Sequence, residues 1–198
     1  MTIEGDCRGF GAGVYKISDK SNDIYYQGFK AVIAFGDVSY IPNNAFKQNT
    51  NFTCDKLPDS LKSIGDYAFY FCEKVAITEI PEGVETIGAY SFYMDDDDGR
   101  APITEMEIVT LPSTLKSIGD CAFAYMDSSN YGCKLGIITK ATTPPTISQY
   151  TFGAHGPQRW VDSEKYGQYS VVVPKGCGEA YKTAQYWSII ANYITEEI

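Results

Sequence analysis

A thirteen-residue segment that the chain repeats constrains its fold more than any other feature. Residues 57–69 read LPDSLKSIGDYAF and residues 111–123 read LPSTLKSIGDCAF, with a related copy, IPEGVETIGAYSF, between them at residues 80–92. The copies begin 23 and then 31 residues apart, and the longer step contains an insert around DDDDGRAP. Periods in the twenties are typical of solenoids, in which stacked units bury one another's apolar side chains.

Two shorter copies extend the repeat on either side. The spacing of an isoleucine and a small residue followed by phenylalanine recurs at residues 41–46 and again at residues 147–152. We therefore predict five coils, three complete and two degenerate, with atypical ends that act as caps. The predicted organisation is an N-terminal segment over residues 1–40, a five-coil repeat region over residues 41–152, and a closing strand with a cap helix over residues 153–198.

Each part of the repeat has an expected structural role. The residues before the proline, such as VAITEI at 75–80, predict one short strand per coil, and the proline ends that strand because it lacks a backbone donor. The glycine after each isoleucine is expected to permit a bend, and the closing phenylalanine to stack between coils as a large buried ring. These residues are Gly65, Gly88 and Gly119, and Phe69, Phe92 and Phe123.

The charge balance and the hydropathy pattern exclude two classes of partner. A formal net charge of −9 argues against nucleic acid, whose phosphates attract basic surfaces. No run of 18 apolar residues is present, so no segment is expected to span a membrane. The first residues, MTIEGDCRGF, lack the basic and apolar regions of a signal peptide. This start indicates either a cytosolic protein or one whose leader has been trimmed.

The cysteines do not form a recognisable disulfide or zinc pattern. The chain has six cysteines without a CxxC pair or zinc-ligand spacing. Cys72 follows one Ala–Phe dipeptide closely and Cys121 lies inside another copy of the repeat. We therefore predict that these two are buried as small apolar side chains rather than paired.

Catalytic motifs are missing from the sequence. The single histidine, His155, lies in FGAHGPQRW and has no GxSxG nucleophile elbow or recognisable cysteine partner pattern. HExxH and Walker patterns do not occur either, and GFGAG at residues 9–13 is followed by Val14 where a dinucleotide fingerprint needs a third glycine. The interpretation is a loop histidine, a flexible lead-in and no cofactor.

The acidic run Asp95 to Asp98, followed by Gly99, resembles part of a calcium-binding loop. With Gly99 at position 6 of an EF-hand loop, the ligand positions fall on Asp96, Asp98 and Glu105. Position 1 is then Met94, which cannot bind calcium. The sequence therefore favours a solvated insert, with these three acidic residues as weak metal candidates.

Alternation along the strands predicts which side chains face outward. In MEIVTL at residues 106–111, Val109 and Leu111 are expected to face the core and the residues between them to face outward. The same register gives a predicted outward set of Cys54, Lys56, Ile77, Glu79, Ile108, Thr110, Ile137 and Thr139. Lys56 and Glu79 are placed on adjacent strands, where they could pair.

The apolar members of this outward set form a row: Cys54, Ile77, Ile108 and Ile137. One interpretation is that a strand bulge or the N-terminal segment buries the row. The other is that it forms a partner-binding or dimerisation patch, with the whole outward set as the binding surface. The sequence leaves both interpretations open.

The repeat resembles the BspA-like leucine-rich repeats of bacterial surface proteins, whose consensus is close to LxxIxIPxxVxxIGxxAFxxCxxL. The resemblance from Phe46 to Phe123 includes Cys72 and Val75 at the consensus cysteine and leucine. Residues 24–46 resemble the opening hairpin before the first coil, and residues 171–194 resemble the closing strand, helix and tryptophan-containing tail. Residues 1–23 lie outside the resemblance, and inserts at 94–102 and 125–134 depart from it.

The resemblance implies a mainly β solenoid, a right-handed stack of coils between an opening β-hairpin and a C-terminal cap helix. It also implies a non-catalytic protein outside the cell or on its surface, used in recognition or adhesion, whose ligand is a protein or a glycan. A structural spacer in a larger surface protein is the alternative, and an enzyme that uses His155 ranks third. Dimerisation is also possible on this interpretation.

Overall fold

The structure is a computed structural model that describes residues 2–3, 34–35, 38–49, 53–72, 74–94, 108–123, 136–152 and 170–198. In these ranges the strands are β1 (Thr2–Ile3), β2 (Ala34–Phe35), β3 (Tyr40–Ile41), β4 (Thr53–Cys54), β5 (Ser63–Ile64), β6 (Lys74–Val75), β7 (Thr86–Ile87), β8 (Ile108–Leu111), β9 (Ser117–Ile118), β10 (Gly136–Thr139), β11 (Ser170–Val173) and β12 (Ile194–Glu196). The helix α1 spans Gly178–Thr183, and a 3-10 segment spans Trp187–Tyr193.

Consecutive repeats pair with one another in parallel and in register. In the sheet β3–β5–β7–β9, Ile41 lies opposite Ile64, which is followed by Ile87 and Ile118 on the next two strands. The pair β4–β6 lies in another part of the repeat, and the sheet β8–β10–β11–β12 joins two strands of the repeat region to two strands of the C-terminal segment. A complete repeat therefore supplies two short strands where the sequence predicted one, because the Ser–Ile or Thr–Ile before each glycine also pairs.

The predicted opening hairpin falls partly outside the described residues. Residues 24–33 are not described, and the two strands that follow do not pair with each other. β2 pairs in parallel with β1, and β3 pairs in parallel with β5. In the described part, residues 24–46 therefore contribute parallel strands rather than an antiparallel pair.

The closing phenylalanines form one column through the core. Successive ring centroids lie 5.3, 5.1, 5.3 and 6.3 Å apart, and each pair is stacked. The column consists of Phe46, Phe69, Phe92, Phe123 and Phe152, all of them buried. Trp187 continues it, with its ring centroid 5.8 Å from that of Phe152. The predicted stacking between coils is confirmed, and the C-terminal segment extends it.

The repeated glycines have a different role from the predicted bend. None of Gly65, Gly88 and Gly119 has a positive φ. A Cβ added at Gly88 would instead lie 2.5 Å from the backbone N of Asp66, and one at Gly119 would lie 2.4 Å from the backbone N of Ala89. These positions require glycine because neighbouring coils approach each other too closely for a side chain.

Left-handed backbone occurs at non-glycine positions two residues after these glycines. Tyr67, Tyr90 and Cys121 have φ values of 57°, 55° and 53°. The backbone N–H of each donates to a carbonyl of the next coil, at 2.8, 2.8 and 3.0 Å. A conformation that costs free energy in isolation is therefore retained, because it directs one more hydrogen bond between coils.

The C-terminal cap is shorter as a helix than the sequence predicted. A single apolar stripe suggested a helix near residues 178–191, but α1 ends at Thr183 because Ala184 is extended and Tyr186 is left-handed with φ 66°. The 3-10 segment then brings the buried Trp187 and Ile190 against the core. The strand β12, which the sequence did not predict, pairs in parallel with β11.

Two buried hydrogen bonds attach this cap to the coil over residues 136–152. The Tyr181 hydroxyl donates to the Ala141 carbonyl at 2.8 Å, and the Trp187 indole N–H donates to the Pro145 carbonyl at 2.8 Å. Burial raises the pKa of Tyr181 to about 12, so the hydroxyl stays a donor at neutral pH. The aromatic rings thus bury apolar area while their polar atoms satisfy carbonyls of the coil.

Candidate functional site

The predicted outward face is confirmed in β8. Ile108 is 51 % exposed and Thr110 is half-buried, whereas Val109 and Leu111 are completely buried. Alternation holds here because all four residues belong to one continuous strand.

The prediction is wrong for Cys54 and Ile77, which face the core. Their side chains are 5 % and 0 % exposed. In residues 54–57 and 77–80 the outer two residues are buried and the middle two are exposed, so the period of two does not apply. The physical reason is that the ladder is interrupted: β4 ends at Cys54, and Glu79 makes only an isolated bridge to Thr110.

The prediction is also wrong for Ile137 and Thr139, which are buried at 3 % and 0 %. In β10, Thr139 lies opposite Leu111 and therefore occupies the core position. Its hydroxyl is satisfied there, 3.2 Å from the Tyr181 hydroxyl, and it accepts a hydrogen bond from the Ala141 N–H. The outward residues of β10 are Gly136 and Ile138, one position from the predicted register.

Four members of the predicted set do reach the surface, namely Lys56, Glu79, Ile108 and Thr110. Lys56 and Glu79 do not pair with each other as proposed. The Lys56 ammonium lies 3.3 Å from Asp59, and Glu79 forms an ion pair of 2.7 Å with Lys140. The hydrogen bond to Glu79 raises the pKa of Lys140. A binding role for these four residues stays a prediction.

An open groove of about 530 Å³ lies on the sheet β3–β5–β7–β9 and crosses four coils. It runs across the strands, because equivalent residues from successive repeats line it. The lining residues are Asn43, Ser63, Ile64, Gly65, Asp66, Thr86, Ile87, Gly88, Ala89, Ser117, Ile118, Gly119, Thr146, Ile147 and Ser148. This groove is the candidate functional site.

A row of four hydroxyl side chains follows one side of the groove. In the described part of the chain none of these hydroxyls has a hydrogen-bond partner, and all four side chains are exposed or half-buried. Strand pairing places one residue per coil in the row, which we call the hydroxyl row: Ser63, Thr86, Ser117 and Thr146. The groove therefore offers four free donor and acceptor groups at a regular spacing.

The glycines form the floor of the groove, and the residues after them form its other side. Because three glycines, Gly65, Gly88 and Gly119, line the floor, this part of the groove is bare backbone. Beside it, the Asn43 side-chain oxygen accepts from the Asp66 N–H, and an Asp66 carboxylate oxygen accepts from the Ala89 N–H, both at 2.8 Å. This series of hydrogen bonds ends at Ala89, whose side chain has no acceptor for an N–H of the next coil.

The sequence contains a signal for the hydroxyl row that is separate from the alternation of the strands. The residue before each repeated Ile–Gly is Ser63, Thr86 or Ser117, in the segments SIG, TIG and SIG. A hydroxyl at the same position in every complete copy predicts a surface row once the Ile is known to face the core. This prediction also requires that the residues before each glycine form a second strand, which the sequence did not indicate.

Two of the described thiols, those of Cys54 and Cys121, are unsuited to nucleophilic chemistry. Cys54, Cys72 and Cys121 are buried, so the predicted burial of Cys72 and Cys121 is confirmed. Burial raises the pKa of Cys54 to about 12 and also raises that of Cys121. The Cys54 and Cys121 thiols are therefore protonated at neutral pH, whereas a nucleophile must be a thiolate.

The remaining sequence candidates lie outside the described residues. These are His155 and the weak metal candidates Asp96, Asp98 and Glu105. Within the ranges that the structure does describe, no three His, Cys, Asp or Glu side chains are grouped so that they could hold a metal ion. In the same ranges no helix has the length and apolar character needed to cross a membrane.

Comparison with known families gives one match, to the BspA type leucine rich repeat region. It matches residues 20–130 and 103–155 and comprises six copies. The two ranges overlap and together cover more than half of the chain. No curated protein matches the sequence.

Proposed function

The chain belongs to the BspA-type leucine-rich repeat family, and we propose that it is a non-catalytic recognition or adhesion module of a secreted or cell-surface protein. Repeats of this family are generally interaction repeats of surface proteins. We further propose that residues 41–152 form a right-handed solenoid of five coils, between the N-terminal segment and the cap over residues 153–198. Its ligand would be a protein or a glycan outside the cell.

The observation that carries this proposal is the free hydroxyl row along the groove. Buried polar side chains are usually hydrogen-bonded within the fold, as Thr139 is to Tyr181. Thr86 and Ser117 instead face an open groove, and neither hydroxyl has a hydrogen-bond partner among the described residues. Because the groove crosses four coils, a ligand bound there would contact several repeats at once.

A structural spacer is the rival interpretation, and it has some support. The continuous phenylalanine column would serve equally well to hold a rigid rod that displays another domain. A spacer has no need for a ligand, so a binding measurement separates the two. An enzyme that uses His155 ranks third, since no nucleophile elbow or recognisable cysteine partner pattern accompanies His155 in the sequence.

The test is the attachment of beads coated with the protein to host and bacterial cells, counted by flow cytometry. Thr86→Arg places a long charged side chain in the groove, while Thr78→Arg makes the same change at an exposed residue beside the Glu79–Thr110 bridge. We expect wild-type beads to attach more than albumin-coated beads, Thr86→Arg to reduce attachment, and Thr78→Arg to leave it unchanged.

Attachment no greater than that of albumin-coated beads would favour the spacer. Attachment that Thr78→Arg abolishes and Thr86→Arg leaves intact would move the binding surface from the groove to the face of β8. Circular dichroism spectra of both variants must match the wild-type spectrum, so that a loss of attachment reports the surface and not unfolding.

A further inference from the structure

The hydroxyl row has a fixed spacing that a bound chain must match. Adjacent parallel strands lie about 4.8 Å apart, so the four hydroxyls span about 14 Å along the groove. The stacked rings of Phe69 and Phe92, at 5.1 Å, have a similar spacing in the core below. A ligand that meets every hydroxyl must therefore repeat its own polar groups at nearly the interval of one coil.

An extended peptide does not have this repeat. Its side chains on one face recur every two residues, or about 6.6 Å. Because the coils are only about 4.8 Å apart, the second side chain is already displaced from the second hydroxyl. An extended chain of β-linked pyranose rings advances per ring by nearly the spacing of neighbouring strands. It can therefore place one ring on each of the coils that contribute Ser63, Thr86, Ser117 and Thr146.

The polarity of the groove also restricts the ligand. Sugar hydroxyls can donate and accept, which complements free serine and threonine hydroxyls that do the same. Among the described residues that line the groove only Asp66 is charged, and the chain as a whole carries a formal charge of −9. Acidic polysaccharides would be repelled, so the preferred ligand is uncharged.

We propose that the groove binds a neutral, extended chain of β-linked pyranose units, one unit per coil, through hydrogen bonds to the hydroxyl row. The glycine row (Gly65, Gly88 and Gly119) lines the groove without side chains, so the sugar rings can lie against the backbone there. This assignment rests on the proposed recognition function and gives its ligand a chemical class.

The test is affinity gel electrophoresis in gels that contain a soluble mixed-linkage β-glucan, a xylan or a mannan, with hyaluronan as the acidic comparison. The test variant is the double change Thr86→Val and Ser117→Ala, which removes two hydroxyls and nearly preserves side-chain volume. The matched control is Thr78→Val with Thr143→Val, at two exposed residues outside the groove.

We expect at least one neutral polysaccharide to retard the wild-type protein and the control equally, and hyaluronan not to retard either. Two lost hydrogen bonds should weaken binding in the test variant by roughly tenfold or more. Equal retardation of the test variant, or retardation by hyaluronan alone, would overturn the inference.

The same variants distinguish this inference from the proposed function. If no neutral polysaccharide retards the protein while cell attachment persists and is lost in Thr86→Arg, the groove binds another ligand, such as a protein. Recognition then stands and the glycan assignment fails. If neither retardation nor cell attachment occurs, both proposals fail and the spacer remains.

Discussion

The rings of Phe92 and Phe123 stack with centroids 5.3 Å apart and planes 5° apart, although an insert separates their repeats in the chain. The backbone follows the same relationship, since the Phe92 N–H donates to the carbonyl of Ala122, next to Phe123, at 2.9 Å. The insert therefore leaves the contact between coils unchanged. Each ring therefore packs against rings of the neighbouring repeats, which a single repeat could not supply.

We expect Phe92→Ala to cost about 3–5 kcal/mol of the free energy of unfolding, because it removes a 3 % exposed ring from the middle of the column and leaves a cavity. Equilibrium denaturation in urea measures this loss. Tyr150→Ala is the control, since Tyr150 is 39 % exposed and its removal should cost less than about 1 kcal/mol. Similar losses in the two variants would contradict the column.

The phenylalanine column could be predicted because every copy of the repeat carries its own landmarks. Proline, Ile–Gly and phenylalanine recur at fixed intervals, so aligning one pair of copies aligns all of their buried positions. The burial of Cys72 follows in the same way. Its thiol donates to the Phe46 carbonyl at 2.9 Å, a contact between neighbouring coils that the sequence does not show.

The outward-facing residues could be predicted only where a strand is long enough for its side chains to alternate between the two faces and where a proline marks its end. Leu111 precedes Pro112, so β8 was placed correctly, whereas GIITK at residues 136–140 has no adjacent proline and was placed one residue out of register. Near Ile77 the backbone pairing between neighbouring strands is interrupted. The order of apolar and polar residues does not reveal such an interruption, so the sequence does not indicate that Ile77 faces the core.

The series of hydrogen bonds between side chains and backbone N–H groups beside the groove, here called the ladder, can be extended to the next coil by a substitution. The Asp120 N–H has no acceptor within the described residues, although the equivalent N–H groups of Asp66 and Ala89 are bonded to side chains of the preceding coil. Ala89→Asn should supply that acceptor and raise the free energy of unfolding by about 0.5–1.5 kcal/mol. Ala89→Leu, which adds similar bulk without an acceptor, should not. Urea denaturation that shows no difference between these two variants would contradict the ladder.

Glu196 is predicted to make the stability of the cap depend on pH. Its two carboxylate oxygens accept from the Gly176 and Gly178 N–H groups, both at 2.8 Å, and these bonds hold the pKa of Glu196 below the usual 4.5. A carboxylate whose pKa is lowered in the folded state contributes to the free energy of unfolding, and this contribution is complete at pH values above its unfolded-state pKa. That stabilisation disappears as the pH falls through the lowered value.

The stability difference between wild type and Glu196→Gln should therefore be constant near neutral pH and shrink as the pH falls below about 4.5. Thermal melts at intervals between about pH 7 and about pH 3 measure this difference. The control is Glu197→Gln, because no hydrogen bond of the neighbouring Glu197 side chain occurs in the described part. A difference for Glu196→Gln that grows on acidification would contradict the assignment.

The two isoleucines of the predicted row should respond in opposite ways to the same substitution. Ile77 is 0 % exposed, so Ile77→Asp buries a charge without a partner and should cost more than about 3 kcal/mol. Ile108 is 51 % exposed, so Ile108→Asp should change the free energy of unfolding by less than about 1 kcal/mol. Urea denaturation of each single variant measures both effects.

Because Ile108→Asp should remain folded, it also tests the binding role predicted for Lys56, Glu79, Ile108 and Thr110. Size-exclusion chromatography and the cell-attachment measurement are the readouts. If this face binds a partner or a second copy, the variant loses attachment or dimerisation while its melting curve stays the same. Unfolding of Ile108→Asp together with tolerance of Ile77→Asp would show that the two positions are reversed, and the register of β8 would then be wrong.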